Sequence, residues 1–479
     1  MLEHLQPTAV FHYFEEICAI PHTSFHEKQL SDYCVNFAKN HNLYYEQDEL
    51  GNVLICAPAT PGYEDVPPLI LQGHLDMVGD KTPECNLDLE ADGLRLVVNG
   101  DELTADGTPL GADNGIAVAY ALAILAADDI AHPPLEVVLT VSEEVGLLGA
   151  TAMDLSTCKA RRMLNLDSEE EGIFTVGCAG GVHAWATIPM TWKPGAGYRL
   201  DFAFRGIKGG HSGVDIDKGL ANANLLAGRF LLTLESVCPF SISALRGGVK
   251  DNVIPKDATF SLLAEESDLP KVRRAYAEFL AQVRQEYAVT EPNLDLLCQE
   301  TGRVETSVLT EESAKKLITA LTLCPNGIQA MSAALPGLVE TSLNLGIMTL
   351  SENELALCIS FRSSVPSAKA YLQQRVTRLA ESLGGSIRFD GEYPAWPLAL
   401  ESPFREQCIA VYRRLYNKEP QVVTIHAGLE CGIFSQKLPG LDCVSMGPDM
   451  RDVHSVDETL SISSVARVWE YLKALLAEK

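Results

Sequence analysis

The chain lacks any apolar run near the roughly 18 residues that a membrane-spanning helix requires. Its opening stretch, "MLEHLQPTAVFHYFEEICAI", has neither the basic start nor the unbroken apolar core of a secretory leader. A soluble, cytoplasmic protein is expected. Positive charge is scarce, with 37 Lys and Arg against 64 Asp and Glu and a net charge of −27. With no basic cluster to offset that balance, nucleic acid and anionic membranes are excluded as expected partners, and multivalent cations are favoured. The 13 cysteines are odd in number and include no C-x-x-C pair, which fits reduced thiols better than a disulfide framework or a cysteine zinc site. There is no G-x-G-x-x-G after a strand, no G-x-x-x-x-G-K-[ST], no H-E-x-x-H and no G-x-S-x-G, so nucleotide-binding, single-zinc and serine-hydrolase chemistry lose their support.

What is present is enough apolar material, 47% of 479 residues, for more than one core. Residues 1–182 alternate helical and strand-like segments. "TAVFHYFEEICAI", "KQLSDYCVNFAKNH" and the largely apolar "GIAVAYALAILAA" read as helices, and "LILQGH", "LEVVLTVS" and "RRMLNLD" as strands. That alternation predicts an α/β fold with a mostly parallel central sheet flanked by helices. Residues 183–395 read as β-α-β-β-α-β, the order of a ferredoxin-like unit. Its second strand pair is read as "FSISALRGG" and "NVIPKDATFSLLAE". The order then repeats, with the first strand of the second lobe assigned to "GRVETSVLT". The α/β pattern resumes over 396–479. The expected organisation is a catalytic α/β domain from 1–182 and 396–479 with an inserted α+β lid of two ferredoxin-like lobes.

Five charged motifs fall at strand ends or at a helix start, where open α/β sheets bind ligands. They are "GHLD", "GADNG", "SEEVG", "LNLDSEE" and "DVHSVDE". Each is weak alone: adjacent glutamates occur at five places in the chain, and Asp113 could be an ordinary helix N-cap. Their coincidence at one sheet edge, three of them after strongly apolar strands where stray charge is costly, points to metal chemistry. Glu143 and Glu144, neighbours on an extended chain, face opposite ways and can do different work. His74 and Asp76, two apart, share a face, which lets the carboxylate take up the imidazole N–H and orient the ring.

"GHLDMV", "GADNG", "SEEVGLLGA", "LNLDSE" and "VHSVDE", in that order, resemble the two-zinc metallopeptidases that include aminoacylases, carboxypeptidases and carnosinases, with further matches at "GGHSGVDI", "DNVIP", "FRSS" and "HAGLECG". The resemblance implies that His74 and Asp167 hold one divalent cation and Glu144 and His454 a second, with Asp113 bridging them across a cis Asp113–Asn114 bond. Asp76 would orient His74, and Glu143 would be the general base that moves a proton from a metal-held water to the leaving amine. His211 would stabilise the oxyanion, and Asn252, Arg362 and Gly428 would contact substrate. Zn²⁺, Co²⁺ and Mn²⁺ all suit the donor set. The implied activity is hydrolysis of unblocked dipeptides. N-acyl-amino-acid deacylase, aminopeptidase and inactive metal-binding readings, and a homodimer, stay open at this point.

Overall fold

A computed structural model describes residues 2–333 and 335–479. The chain divides into two compact units, one of Met1–Cys178, Trp396–Thr424 and Leu429–Lys479, the other of Ala179–Ala395 and Ile425–Gly428.

The first unit is built on an eight-stranded sheet. Its strand order is Tyr44–Gln47, Val53–Ala57, Leu135–Thr140, Leu69–His74, Arg162–Asn165, Asp442–Ser445, Ile173–Cys178 and Gln421–Ile425. The four strands from Leu135–Thr140 to Asp442–Ser445 run parallel. Val53–Ala57 on one side and Ile173–Cys178 on the other pair antiparallel. Every residue of Leu69–His74 and Leu135–Thr140 is buried, as expected of parallel strands covered on both faces.

The helix Ala112–Ala126 is apolar around almost its whole circumference and is buried accordingly. The helix Thr8–Cys18 packs beside Gly115, with Phe14 and Ile17 at ordinary contact distance from where a Cβ would stand, 3.4 Å. Tyr120 stacks on Trp469 of the helix Ile462–Leu476 and donates its hydroxyl to the Val465 carbonyl at 3.0 Å. Each buried large side chain is worth about 1.5–3 kcal/mol, so core packing fixes where this helix begins. Asp113 lies in its first turn. A small antiparallel sheet of Met450–Arg451, Thr459–Ser461, Glu102–Ala105 and Leu96–Asn99 carries the loop holding His454.

The second unit is organised on one sheet whose principal order is Asp295–Leu309, Trp192–Arg205, Ala258–Ala264, Ser241–Gly247, Val339–Leu350, Glu354–Ser363, Gly180–Pro189 and Ser386–Tyr393. Its first four strands have ferredoxin-like order, as do its last four. The first strand of the second lobe is therefore Gly180–Pro189, and the whole first lobe lies between it and the helix Glu311–Leu323. The assignment to "GRVETSVLT" is corrected: those residues continue the strand Asp295–Leu309, which runs on against Trp192–Arg205 through an irregularity opposite Arg199 and Leu200, at Gly302 (φ +94°). A period-two pattern after a glycine reads the same whether a strand restarts or bends. The segment "NVIPKDATFSLLAE" likewise splits at Pro255, which has no N–H to continue a ladder. Val253–Ile254 pairs with Gly210–His211, and Ala258–Ala264 joins the large sheet.

The lobes meet where Arg246 and Gly247 pair with Thr349 and Met348. Gly248 follows with φ +71°, and a Cβ there would sit 1.8 Å from the Gly346 carbonyl oxygen. Gly248→Ala should lower the stability of this unit by more than about 2 kcal/mol, because left-handed backbone alone costs about 1–2 kcal/mol and the collision adds to it. Calorimetric unfolding of the variant checks this; an unshifted transition would contradict the role given to the seam.

Candidate metal centre

Three neighbouring parallel strands deliver their following residues to one edge of the sheet of the first unit. Leu69–His74 ends on His74, Leu135–Thr140 leads through Val141 and Ser142 to Glu143 and Glu144, and Arg162–Asn165 leads to Asp167. Ser142 and His454 both have positive φ, 52° and 63°, so backbone turns rather than regular structure aim these side chains. Ser142 is held there by Glu27, whose Oε1 accepts from its backbone N–H and its hydroxyl, both at 2.8 Å.

The side chains form two triads that share one carboxylate: His74, Asp113 and Asp167, then Asp113, Glu144 and His454, with the donor atoms of each triad within 4.8 Å of one another. His74 Nε2 lies 3.2 Å from Asp113 Oδ1 and 3.4 Å from Asp167 Oδ1. His454 Nε2 lies 2.9 Å from Asp113 Oδ2 and 3.0 Å from Glu144 Oε2. Glu143 also comes within ligand reach of His74 and Glu144. The Asp113–Asn114 peptide bond is cis. Asn114 links two strand ends, its Oδ1 accepting from His74 N–H at 3.2 Å and its Nδ2 donating to the Leu166 carbonyl at 2.8 Å.

Asp76 lies beside the His74 ring and does further work. His74 Nδ1 is 3.0 Å from the Asp76 backbone carbonyl and 3.5 Å from its Oδ1, so the carbonyl is the nearer acceptor. The carboxylate accepts the backbone N–H groups of Glu143 (2.8 Å) and Glu144 (3.2 Å) and the Ser24 hydroxyl (2.8 Å). One residue thus fixes the ring on one strand and the glutamate pair on the next. Glu458, in "VHSVDE", was not singled out from the sequence. Its two oxygens accept the backbone N–H groups of Leu110, Gly111, Ala112 and Asp113 at 2.8–3.2 Å, satisfying the donors at this helix entry. The acidic residue in the same motif as His454 was the available signal. Glu430, in "HAGLECG", is a second such case, fully buried and accepting from Gln72 Nε2 at 2.5 Å and Thr140 Oγ1 at 2.8 Å.

Charge crowding dominates the electrostatics. Burial pushes the Asp113 carboxyl up, but hydrogen bonds from both imidazoles outweigh it and hold the group far below the usual carboxylate range. Asp167 is pushed up to about 6 by burial, aided by Asp113 and Glu144. Burial, with Asp167, Glu430 and Glu144 nearby, raises Glu143 well above an ordinary glutamate. Burial lifts Glu430 to about 8. Hydrogen bonds to Asp113 and Glu144 raise His454 to about 11. The pocket demands positive charge. Divalent cations fit that demand: the donors are three carboxylates and two imidazoles, and Glu144 Oε1 is buried without a hydrogen-bond partner.

The remaining four sequence candidates lie in the second unit. His211 and Arg362 approach to 3.4 Å between Nε2 and Nη2. Asn252 accepts the Ser212 N–H through its backbone carbonyl at 2.9 Å. Gly428 lies against the Tyr393 ring, where a Cβ would come within 2.6 Å. Arg362 donates to the Tyr393 hydroxyl at 2.9 Å.

Because Asp113 belongs to both triads and Asp167 to one, their substitutions should separate. Asp113→Ala should lose both cations, whereas Asp167→Ala should retain one. Elemental analysis of the purified variants counts them, and equal losses would contradict the shared-carboxylate arrangement.

Residues 70–478 match the sequence profile of Peptidase family M20/M25/M40. The chain is 38% identical over 482 residues to the cytosol non-specific dipeptidase of Escherichia coli (strain K12), covering 100% of this chain and 99% of that one. The crystal structure of aminoacylhistidine dipeptidase from Vibrio alginolyticus superposes with a TM-score of 0.92 at 36% identity, covering 99% of this chain and 97% of that one. Aminopeptidase PepT from Bacillus cereus shares the fold at 14% identity, with a TM-score of 0.57 and 98% of each chain covered. The chain therefore belongs to the peptidase family M20/M25/M40.

Proposed function

We propose that the protein is a metal-dependent dipeptidase acting on unblocked dipeptides, those ending in histidine among them, with Zn²⁺ as the cation. The observation that carries the reading is the pair of triads sharing Asp113, with a further glutamate, Glu143, within reach of His74 and Glu144. The full-length likeness to two proteins named as dipeptidases supports it. Two divalent cations held by His74 and Asp167, by Glu144 and His454, and jointly by Asp113 would polarise the scissile carbonyl and acidify a water.

The chain's own residues supply the rest. Glu143 takes the proton of the attacking water and passes it to the leaving amine. A carboxylate beside the held water is the kind of group such an exchange needs. Asp76 keeps Glu143 and Glu144 in place by holding both backbone N–H groups. His211 Nδ1 accepts the backbone N–H groups of Gly213 and Val214 at 3.3 and 3.1 Å. That assigns the proton to Nε2 and makes it a donor suited to an oxyanion. Arg362, a planar fork on the strand Glu354–Ser363, takes the terminal carboxylate, with Asn252 and Gly428 as further substrate contacts. The acidic pocket of the first unit suits a free amino group. The Escherichia coli relative is named as a cytosol enzyme, and the same compartment is proposed here. Among the described residues no helix is long and apolar enough to cross a membrane.

Glu143→Ala should keep two cations per chain while lowering kcat by roughly 10²- to 10⁴-fold, and Glu144→Ala should lose a cation as well as turnover. Elemental analysis beside steady-state kinetics separates the two; full activity in both would overturn the assignment. A panel of free dipeptides, tripeptides and N-acetyl amino acids should show turnover concentrated on the first class, whereas comparable rates on acetylated substrates would favour a deacylase.

A further inference from the structure

The glutamate pair stands in a loop that regular structure does not hold. Between the strand Leu135–Thr140 and the short helix Leu148–Ala152, Ser142, Gly146 and Leu147 all have positive φ, 52°, 109° and 60°. Left-handed backbone is unfavourable outside glycine, so the loop keeps its shape only if its ends are held. At its neck the Gly149 N–H donates to the Val141 carbonyl at 3.0 Å. Asn52 closes the same neck, its Oδ1 accepting from the Val141 N–H at 3.0 Å and its Nδ2 donating to the Gly149 carbonyl at 3.1 Å. The loop and the start of the short helix are thereby tied into one body.

The helix Glu430–Lys437 grips that body at both ends. Its last residue, Lys437, donates from Nζ to the carbonyls of Ala150, Thr151 and Met153, each at 2.7 Å. The final carbonyls of a helix lack partners within it, and an ammonium with three donors suits three of them. Its first residue, Glu430, is fully buried, and Oε2 accepts from Thr140 Oγ1 at 2.8 Å and from Gln72 Nε2 at 2.5 Å. Thr140 is where the strand before the loop ends. One helix therefore pins the chain just before the glutamates and just after them.

Glu430 reaches further through Gln72. Asn165 Nδ2 donates to Gln72 Oε1, and these two residues stand opposite each other in the parallel ladder, as do His74 and Thr140. Gln72 lies two residues before His74, and Asn165 two before Asp167. Strands covered on both faces ordinarily carry apolar side chains, yet here three neighbouring strands each bring a buried polar one to a network centred on a single carboxylate.

We propose that Glu430 and Lys437 are positioning residues for the reaction: as the two ends of a brace across the loop, they fix where the Glu143 carboxylate stands relative to His74 and Asp167. Turnover depends on them although neither touches substrate. This rests on the reading of Glu143 as the general base. Misplacing a reacting group by about 1 Å can cost on the order of 10²-fold in rate, while the residues assigned to substrate binding lie in the other unit and are unchanged.

The test uses metal-loaded proteins. Lys437 is only partly buried, so Lys437→Met should fold, retain two cations per chain, lower kcat roughly 10- to 100-fold and leave KM within about twofold. Lys437→Arg, which returns donors to the same carbonyls, should recover much of the loss. Glu430→Leu should also lower kcat. Glu430→Gln should recover it, since the amide keeps an oxygen for Thr140 and Gln72 and places its nitrogen where Oε1 has no partner. The deciding measurement repeats Lys437→Met in a Glu143→Ala background. A mere loss of folded enzyme would slow both backgrounds by the same factor, whereas displacement of the Glu143 carboxylate slows only the enzyme that has one. The double variant should be no slower than Glu143→Ala alone. Unchanged kcat in Lys437→Met, or an equal loss in both backgrounds, would overturn the inference. Rates are taken on whichever of a free dipeptide and an N-acetyl amino acid the wild type hydrolyses, so a wild type that takes only the acetylated class overturns the dipeptidase reading and leaves this test in place. A wild type that hydrolyses neither removes both.

Discussion

The arrangement of the first unit depends on one carboxylate, that of Asp113, being shared. Its two oxygens face two different imidazoles, His74 and His454, and each imidazole faces a further carboxylate, Asp167 or Glu144. Collecting so many acids in a buried pocket is unfavourable unless positive charge accompanies them, and that constraint explains the supports around Asp113. The apolar helix behind it is anchored in the core, and Glu458 holds four successive backbone N–H groups at its entry. The shared oxygen pair is therefore set by packing and backbone hydrogen bonding together.

A second consequence follows for the neighbouring glutamates. Glu144 shares a triad with Asp113 and His454, whereas Glu143 groups with His74 and Glu144 apart from the shared carboxylate, and its carboxyl is pushed up by burial and by the acids around it. Asp76 makes that division reproducible because its carboxylate grips both backbone N–H groups while its carbonyl receives the His74 ring. Substituting Asp76 would thus disturb the ring, the ligand and the base at once. That coupling through one short side chain is why the strand ends of Leu69–His74 and Leu135–Thr140 behave as one functional element.

The strand ends and the buried helix of the first unit were legible because long apolar runs ending in charge have one physical explanation at the edge of a parallel sheet. His74, Glu143, Glu144 and Asp167 stood out on that basis, Asp113 at the start of the apolar helix and His454 in a charged late motif, and the division into ligands came from the family resemblance. Glu458 and Glu430 did not stand out, because their work is to accept hydrogen bonds from backbone and from buried amide and hydroxyl groups distant in sequence, and no spacing announces it. The shared face told that Asp76 lies beside the His74 ring, as it does, but gave no sign that its carboxylate would also hold the backbone N–H groups of Glu143 and Glu144. In the second unit the two ferredoxin-like orders were readable, but the strand Gly180–Pro189 pairs with Glu354–Ser363 across more than 150 residues. The nearer candidate after Gly302 was the more natural choice from sequence.

The central claim is that the first unit holds two cations bridged by Asp113. Anomalous diffraction from crystals of the zinc-loaded protein, collected on both sides of the zinc absorption edge, tests it most directly. The account predicts two peaks about 3.5–4 Å apart, with one Asp113 oxygen facing each. A single peak, or two peaks of which only one lies beside Asp113, would contradict it.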